Sequence, residues 1–205
     1  MTNELRIGVL GSGKGSNCQA ILEACDRGEI AGRVVIVISD NSDAYILERA
    51  RQRNIPAKYV EPSRFKTKLE PELEQQIVTM LQAEKVDLVA LAGYMRVIKE
   101  PLLAAFPGRI MNIHPSLLPS FPGLHAWEQA LKYGVKITGC TVHFVDAGVD
   151  AGAVILQQPV PVFGNDTAES LHARIQVAEH RAYPEAIRLF AQGKLQISGR
   201  IVKIS

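Results

Sequence analysis

A near-continuous apolar run, Val86 to Ala92, constrains this chain more than any other stretch. A strand with one face in water alternates apolar and polar residues, whereas a run of this kind has to be covered on both faces. That is the pattern of a central parallel strand. Similar runs occur at Leu5 to Leu10 and at Val34 to Ser39, with a shorter strand expected at Ala57 to Val60. Parallel neighbours need long crossovers, and helical patterns fill the gaps. Cys18 to Arg27 carries an apolar face of Ala20, Ile21, Leu22 and Ala24, with Gly28 as its stop. Tyr45 to Arg53 reads as a short helix. Pro71 to Lys85 repeats Leu73, Ile77, Met80 and Leu81 at three and four.

The second half continues the alternation and then changes it. Pro101 to Phe106 is a brief helix, Arg109 to Ile113 a strand, and His125 to Lys132 another helix. Ile137 to Val145 and Val154 to Gln158 read as strands joined by a Gly- and Asp-rich loop. Asp166-Thr167-Ala168-Glu169 resembles a capping box opening a helix that Pro184 is expected to kink or divide. Leu195 to Ile204, broken at Ser198-Gly199, reads as a terminal hairpin. The expected architecture is a three-layer, Rossmann-like α/β domain spanning 1–205. Its sheet is mainly parallel, with antiparallel additions toward the C-terminus.

Composition removes several function classes. The 23 basic and 21 acidic residues leave a net charge of +2, which is no electrostatic footprint for nucleic acid. Local phosphate binding stays open, because it needs only a few placed donors. Cys18, Cys25 and Cys140 are odd in number and lack metal-ligand spacing, so reduced thiols in a cytoplasmic protein are expected, with no metal. The N-terminus carries Glu4 and Arg6 and no long apolar segment, so neither a signal peptide nor a membrane span is expected.

Five places could carry chemistry. Gly11-Ser12-Gly13-Lys14-Gly15-Ser16-Asn17 lies between the first strand and first helix, where free N–H groups can face an anion. It is neither a P-loop nor a full G-x-G-x-x-G, and a tight turn with close helix packing is the plainer alternative. Asp40, at the end of the second strand, is where a dinucleotide fold would hold a ribose hydroxyl. Met111 to Gly123 contains three prolines, so it is neither helix nor central strand. Asn112 and His114 project to one side of an extended segment that Pro115 stops, a pair able to hold an oxyanion and move a proton. Asp146 to Gly152 is either a plain connection or a source of a carboxylate beside His114. Gln176, Glu179 and His180 share a helix face, for which solvent exposure is the ordinary account.

Asn112-Ile113-His114-Pro115-Ser116-Leu117-Leu118-Pro119 resembles the signature of the formyltetrahydrofolate-dependent formyltransferases. The following Ser120-Phe121-Pro122-Gly123-Leu124-His125 is similar to the branch acting on phosphoribosylglycinamide (GAR). The resemblance covers nearly the whole chain and implies roles by position. Asn112, His114 and Asp150 (from Asp150-Ala151-Gly152) would be catalytic. Gly15, Ser16 and Asn17 would hold the ribonucleotide phosphate, with Gln176 and Glu179 as further GAR contacts. Lys68, Met95, Arg96, Val97, Ile98, Asn112, Asp146 and Asp150 would meet the folate. Asp146 competes locally with Asp150 for the catalytic role, and His143 reads as a structural strand residue.

The implied reaction takes the formyl group of 10-formyltetrahydrofolate, as co-substrate, to the GAR amine in purine biosynthesis, without a metal. Negative charge builds on the formyl oxygen, which Asn112 and a protonated His114 can stabilise. An adjacent Asp150 would favour the imidazolium. Small molecules are therefore the expected partners, with no nucleic acid or membrane, and the sequence leaves oligomeric state open. Within the family, methionyl-tRNA formyltransferase and formylfolate hydrolase are the alternatives. Outside it stands a nicotinamide-binding Rossmann protein, which Asp40 favours and the glycine spacing opposes.

Overall fold

The structure is a computed structural model that describes residues 4–62, 65 and 67–205. The stretch from Pro62 to Lys68 includes residues 63, 64 and 66, which lie outside the described residues. The chain forms two compact units, residues 1–112 and 113–205.

In the first unit strands and helices alternate strictly: β1 (Leu5–Leu10), α1 (Ser16–Asp26), β2 (Gly32–Ser39), α2 (Tyr45–Arg51), β3 (Ala57–Tyr59), α3 (Pro71–Ala83), β4 (Leu88–Leu91), α4 (Glu100–Ala105) and the start of β5 (Ile110–His114). The strands pair in parallel in the order β3-β2-β1-β4-β5. The apolar runs behave as their lack of alternation requires. All four residues of β4 are buried, as are Ile7, Val9 and Leu10 of β1 and Val34 to Ile38 of β2. The buried stripe of α3 differs from the sequence expectation. It runs Glu74, Ile77, Val78 and Leu81, while Leu73 and Met80 are half-buried at its margin. Glu74 enters the stripe because its Oε1 accepts the Lys99 N–H at 2.8 Å, which gives a 1 % exposed carboxylate a hydrogen bond.

The second unit contains α5 (Ala126–Tyr133), β6 (Ile137–Phe144), β7 (Val154–Pro161), α6 (Ala168–Ala191), β8 (Leu195–Ser198) and β9 (Ile201–Ile204). Here β6/β7 and β8/β9 are antiparallel, and β7 meets β9 in parallel at Val154 and Ile201. The architecture is thus α/β, mainly parallel, with antiparallel strands toward the C-terminus. Pro184 does not divide α6, which runs 24 residues without a break. Proline removes one intrahelical bond, but Ala182, Tyr183, Pro184, Ala186 and Ile187 are all buried, and packing carries the helix past it. The capping box is also closed differently. Thr167 Oγ1 accepts from Ser170 N at 3.2 Å, and Thr167 N donates to Ser170 Oγ at 3.0 Å, so Ser170 takes the place expected for Glu169.

Among the described residues, no helix is long and apolar enough to cross a membrane.

Candidate active site

The second unit builds its site from side chains. β5 ends at His114, which is 4 % exposed, and Pro115 stops the ladder there. The proline-rich loop that follows is tied down by one buried hydroxyl. Thr141 Oγ1 on β6 donates to Ser116 O at 2.7 Å and accepts from Leu118 N and from Gln157 Nε2, each at 3.0 Å. Gln157 Nε2 also donates to Leu118 O at 2.8 Å. Fully satisfied buried polar groups of this kind fix one loop geometry, because any rearrangement leaves a polar atom unpaired. The loop turns at Phe121, whose φ of 54° is uncommon for a bulky residue. Its carbonyl thereby accepts the His114 Nε2–H at 2.9 Å.

The other ring nitrogen, His114 Nδ1, lies 3.3 Å from Asp150 Oδ2. The same carboxylate oxygen accepts the Gly123 N–H at 2.9 Å, so Asp150 holds both the imidazole and the end of the loop. Asp150 sits at φ 50°, a left-handed conformation that aspartate tolerates better than most residues. Two residues on, a Cβ at Gly152 would stand 1.7 Å from the Phe144 carbonyl oxygen. The Asp-x-Gly pattern is therefore a packing requirement of the turn that aims Asp150. Asp146 points elsewhere: its Oδ1 accepts the Gly148 N–H at 2.9 Å and closes its own exposed turn. Of the two aspartates, Asp150 is the one beside His114.

His143 joins this cluster, although its strand position suggested a structural residue. It is buried on β6, and its Nε2 lies 3.8 Å from Asp150 Oδ1. Its Nδ1 carries the proton, since it donates to the Phe144 carbonyl at 2.8 Å. Burial pushes the imidazole below its ordinary value, against the opposing pull of the Phe144 carbonyl and Asp150. No local signal marks His143 for this place. The antiparallel return from β6 to β7 brings the Asp150 turn back to it.

The first unit builds its loop mainly from backbone. Gly15 is the N-cap of α1 at φ 70°, and a Cβ there would meet Ile46 Cγ1 at 2.6 Å. The cap has no side-chain bond and the first turn has no acidic residue, so the amides of Ser16 and Asn17 open an anion-compatible helix start. Ser16 is half-buried, Asn17 buried and Lys14 exposed. Lys14 contributes its carbonyl, which accepts from Arg49 Nε at 2.8 Å.

The segment after β4 is held from several sides. Arg96 Nε donates to Asp40 Oδ2 at 2.6 Å, with side chains only 13 % and 5 % exposed, and Arg96 Nη1 donates to the Phe65 carbonyl. Asp40 is therefore committed to an ion pair, an arrangement that opposes the dinucleotide reading, and Arg96 acts as a clamp on its own segment. Val97 N donates to Thr67 O at 2.8 Å, and Lys68 bridges Val97 with its Nζ over the Phe65 ring. Met95 is 54 % exposed, Val97 half-buried and Ile98 buried in the core. Asn112 is half-buried on β5, paired with Leu91 of β4. On α6, Gln176 is half-buried and Glu179 buried, so that helix face is not the solvated surface its polarity suggested. Among the described residues, no group of three His, Cys, Asp or Glu could hold a metal ion.

Comparison with known proteins adds relatives to this geometry. Residues 5–187 match the formyl transferase family (Formyl_trans_N). The phosphoribosylglycinamide formyltransferase of Haemophilus influenzae is 41% identical over 196 residues, 96% of this chain and 92% of that protein. The human trifunctional purine biosynthetic protein adenosine-3 is 42% identical over 94% of this chain, which spans only 19% of that protein's length. The crystal structure of glycinamide ribonucleotide transformylase 1 from Symbiobacterium toebii matches with a TM-score of 0.94 at 57% identity. That match covers 98% of this chain and 93% of the other.

Proposed function

The chain belongs to the formyl transferase family, and we propose that it transfers the formyl group of 10-formyltetrahydrofolate to the amine of GAR. The products are formyl-GAR and tetrahydrofolate, in purine biosynthesis. The observation that carries this reading is the buried His114–Asp150 pair at 3.3 Å, at the end of the strand that also bears Asn112. A formyl-folate co-substrate follows from the family. The likeness to the phosphoribosylglycinamide formyltransferase of H. influenzae supports GAR as acceptor.

The residues suit each step. The GAR amine attacks the formyl carbon, and the carbonyl electrons move to oxygen. The Asn112 amide and the His114 Nε2–H donate to that oxygen, which replaces the Phe121 carbonyl as acceptor of the imidazole proton. Asp150 holds the opposite ring nitrogen and so fixes the orientation of the imidazole toward that oxygen. The bond from the formyl carbon to the folate nitrogen then breaks, and a proton passes from the amine to that nitrogen. In this reading Gly15, Ser16 and Asn17 take the phosphate, and Gln176 and Glu179 contact GAR. Lys68, Met95, Val97, Ile98 and Asp146 shape the folate pocket, with Arg96 fastening its segment through Asp40. Residues 1–205 act as one formyltransferase domain, phosphate recognition in the N-terminal half and catalysis in the C-terminal half. The free thiols Cys18, Cys25 and Cys140 fit a cytoplasmic setting.

The deciding experiment mixes the protein with 10-formyltetrahydrofolate and follows tetrahydrofolate with GAR supplied or withheld. Turnover that requires GAR is expected. Turnover without any acceptor would make the protein a formylfolate hydrolase, and turnover only with methionyl-tRNA would move it to that branch.

A further inference from the structure

Ser12 occupies an unusual position between the two loops of the first unit. Its N–H donates to the Gly93 carbonyl at 3.0 Å, and its Oγ accepts the Met95 N–H at 2.9 Å. Its own carbonyl accepts from Asn41 Nδ2 at 3.3 Å. The Gly11–Asn17 loop and the Gly93–Ile98 segment are thus bonded through one residue, 83 positions from Met95 in sequence. The contact is close as well. A Cβ at Gly11 would stand 2.7 Å from the Ala92 carbonyl oxygen, so the two turns approach backbone to backbone. Gly13 and Lys14 are in turn fastened to α2, by Ile46 N at 3.1 Å and by Arg49. On the other side, the Asp40–Arg96 pair and the Glu74–Lys99 bond hold the far end of the second segment. The Ser12 hydroxyl is a side-chain link in an otherwise braced frame, and it bonds the backbone of the folate segment, not a residue assigned to the formyl transfer itself.

We propose that Ser12 is a positioning residue that couples the phosphate loop to the folate segment, so that GAR and folate favour each other's binding. The inference rests on the functional reading above. Its physical basis is linkage: each ligand orders its own turn, and the Ser12 bond makes the ordered form of one turn favour the ordered form of the other, so either ligand raises the population available to the other. Removing the hydroxyl leaves the backbone bond to Gly93 intact and takes the acceptor from Met95 N–H alone. The effect should therefore appear in the coupling and only weakly in either affinity.

The test measures tetrahydrofolate binding by calorimetry with and without saturating GAR, a pair that cannot react. In the parent protein GAR should tighten tetrahydrofolate binding about fivefold. Ser12→Ala should abolish that gain while each ligand alone binds within about twofold of the parent. Ser12→Thr, which keeps the hydroxyl, should restore it. A parent protein that binds both ligands without coupling overturns the inference and leaves the functional reading standing, and this arm needs no variant to fold. Undiminished coupling in Ser12→Ala overturns it equally. A parent that binds neither ligand overturns both the functional reading and the inference.

Discussion

The two loops that carry the proposed chemistry are built by opposite means. The Gly11–Asn17 loop of the first unit offers backbone amides at the start of α1, with a glycine cap and no side-chain cap. The loop after β5 in the second unit offers side chains, held by a hydrogen-bond network centred on the buried Thr141 hydroxyl, with Gln157 and the Ser116 carbonyl. A backbone site is hard to damage by truncating a side chain, because the donors remain. A side-chain site loses its chemistry with a single atom group. The contrast predicts where substitutions act on rate and where they act on affinity.

The largest effect is expected at the reacting atoms. Asn112→Ala removes one donor to the developing oxyanion and should lower kcat by about 10²–10³. His114→Ala should be at least as damaging, because it removes a donor and a proton carrier together. Steady-state kinetics at saturating substrates read this directly, and a change confined to KM would break the assignment of chemistry to the second loop.

Next comes the choice between the two aspartates. Asp150→Asn keeps the Gly123 contact geometry but drops the charge beside His114, and kcat should fall by about 10² with little change in KM. Asp146→Asn alters a carboxylate that closes its own turn at Gly148 and does not lie beside His114. Its kcat should stay near that of the parent. Reversal of this order would transfer the catalytic role to Asp146.

A smaller effect is expected in the first loop. Ser16→Ala leaves the amides of α1 in place, so the KM for GAR should rise only about two- to tenfold while kcat is kept. A loss of kcat equal to that of Asn112→Ala would erase the contrast between the loops.

The smallest effect concerns pH. His143 is held below its ordinary value by burial, so the unfolded chain binds its proton more readily than the native one does. Stability should therefore fall as pH drops through about 6.5, the value of an unperturbed histidine, and the contribution is fully present above it. His143→Gln should flatten the melting temperature across that range. An unchanged pH slope would show that His143 is protonated equally in both states.

Much of this molecule is legible from local pattern. Unalternating apolar runs can only be two-sided strands, and Gly11 to Asn17 can only be a turn before a helix. Asn112 and His114 share a face because a strand has period two, and Pro115 ends the ladder for want of an N–H. These conclusions hold because each depends on residues a few positions apart. Tertiary structure decided the rest. Arg96 is drawn to Asp40, 56 residues away, so a residue suggesting nucleotide recognition became half of a buried ion pair. Glu74 entered the apolar stripe of α3 because Lys99 N–H lies within its reach, and α6 runs through Pro184 because core packing outweighs one lost bond. His143 meets Asp150 through the β6–β7 return, and the same turn singles out Asp150 over Asp146 by aiming one carboxylate at His114. A partner far along the chain leaves no trace in local periodicity, since charge, burial and hydrogen bonding depend on distance in space.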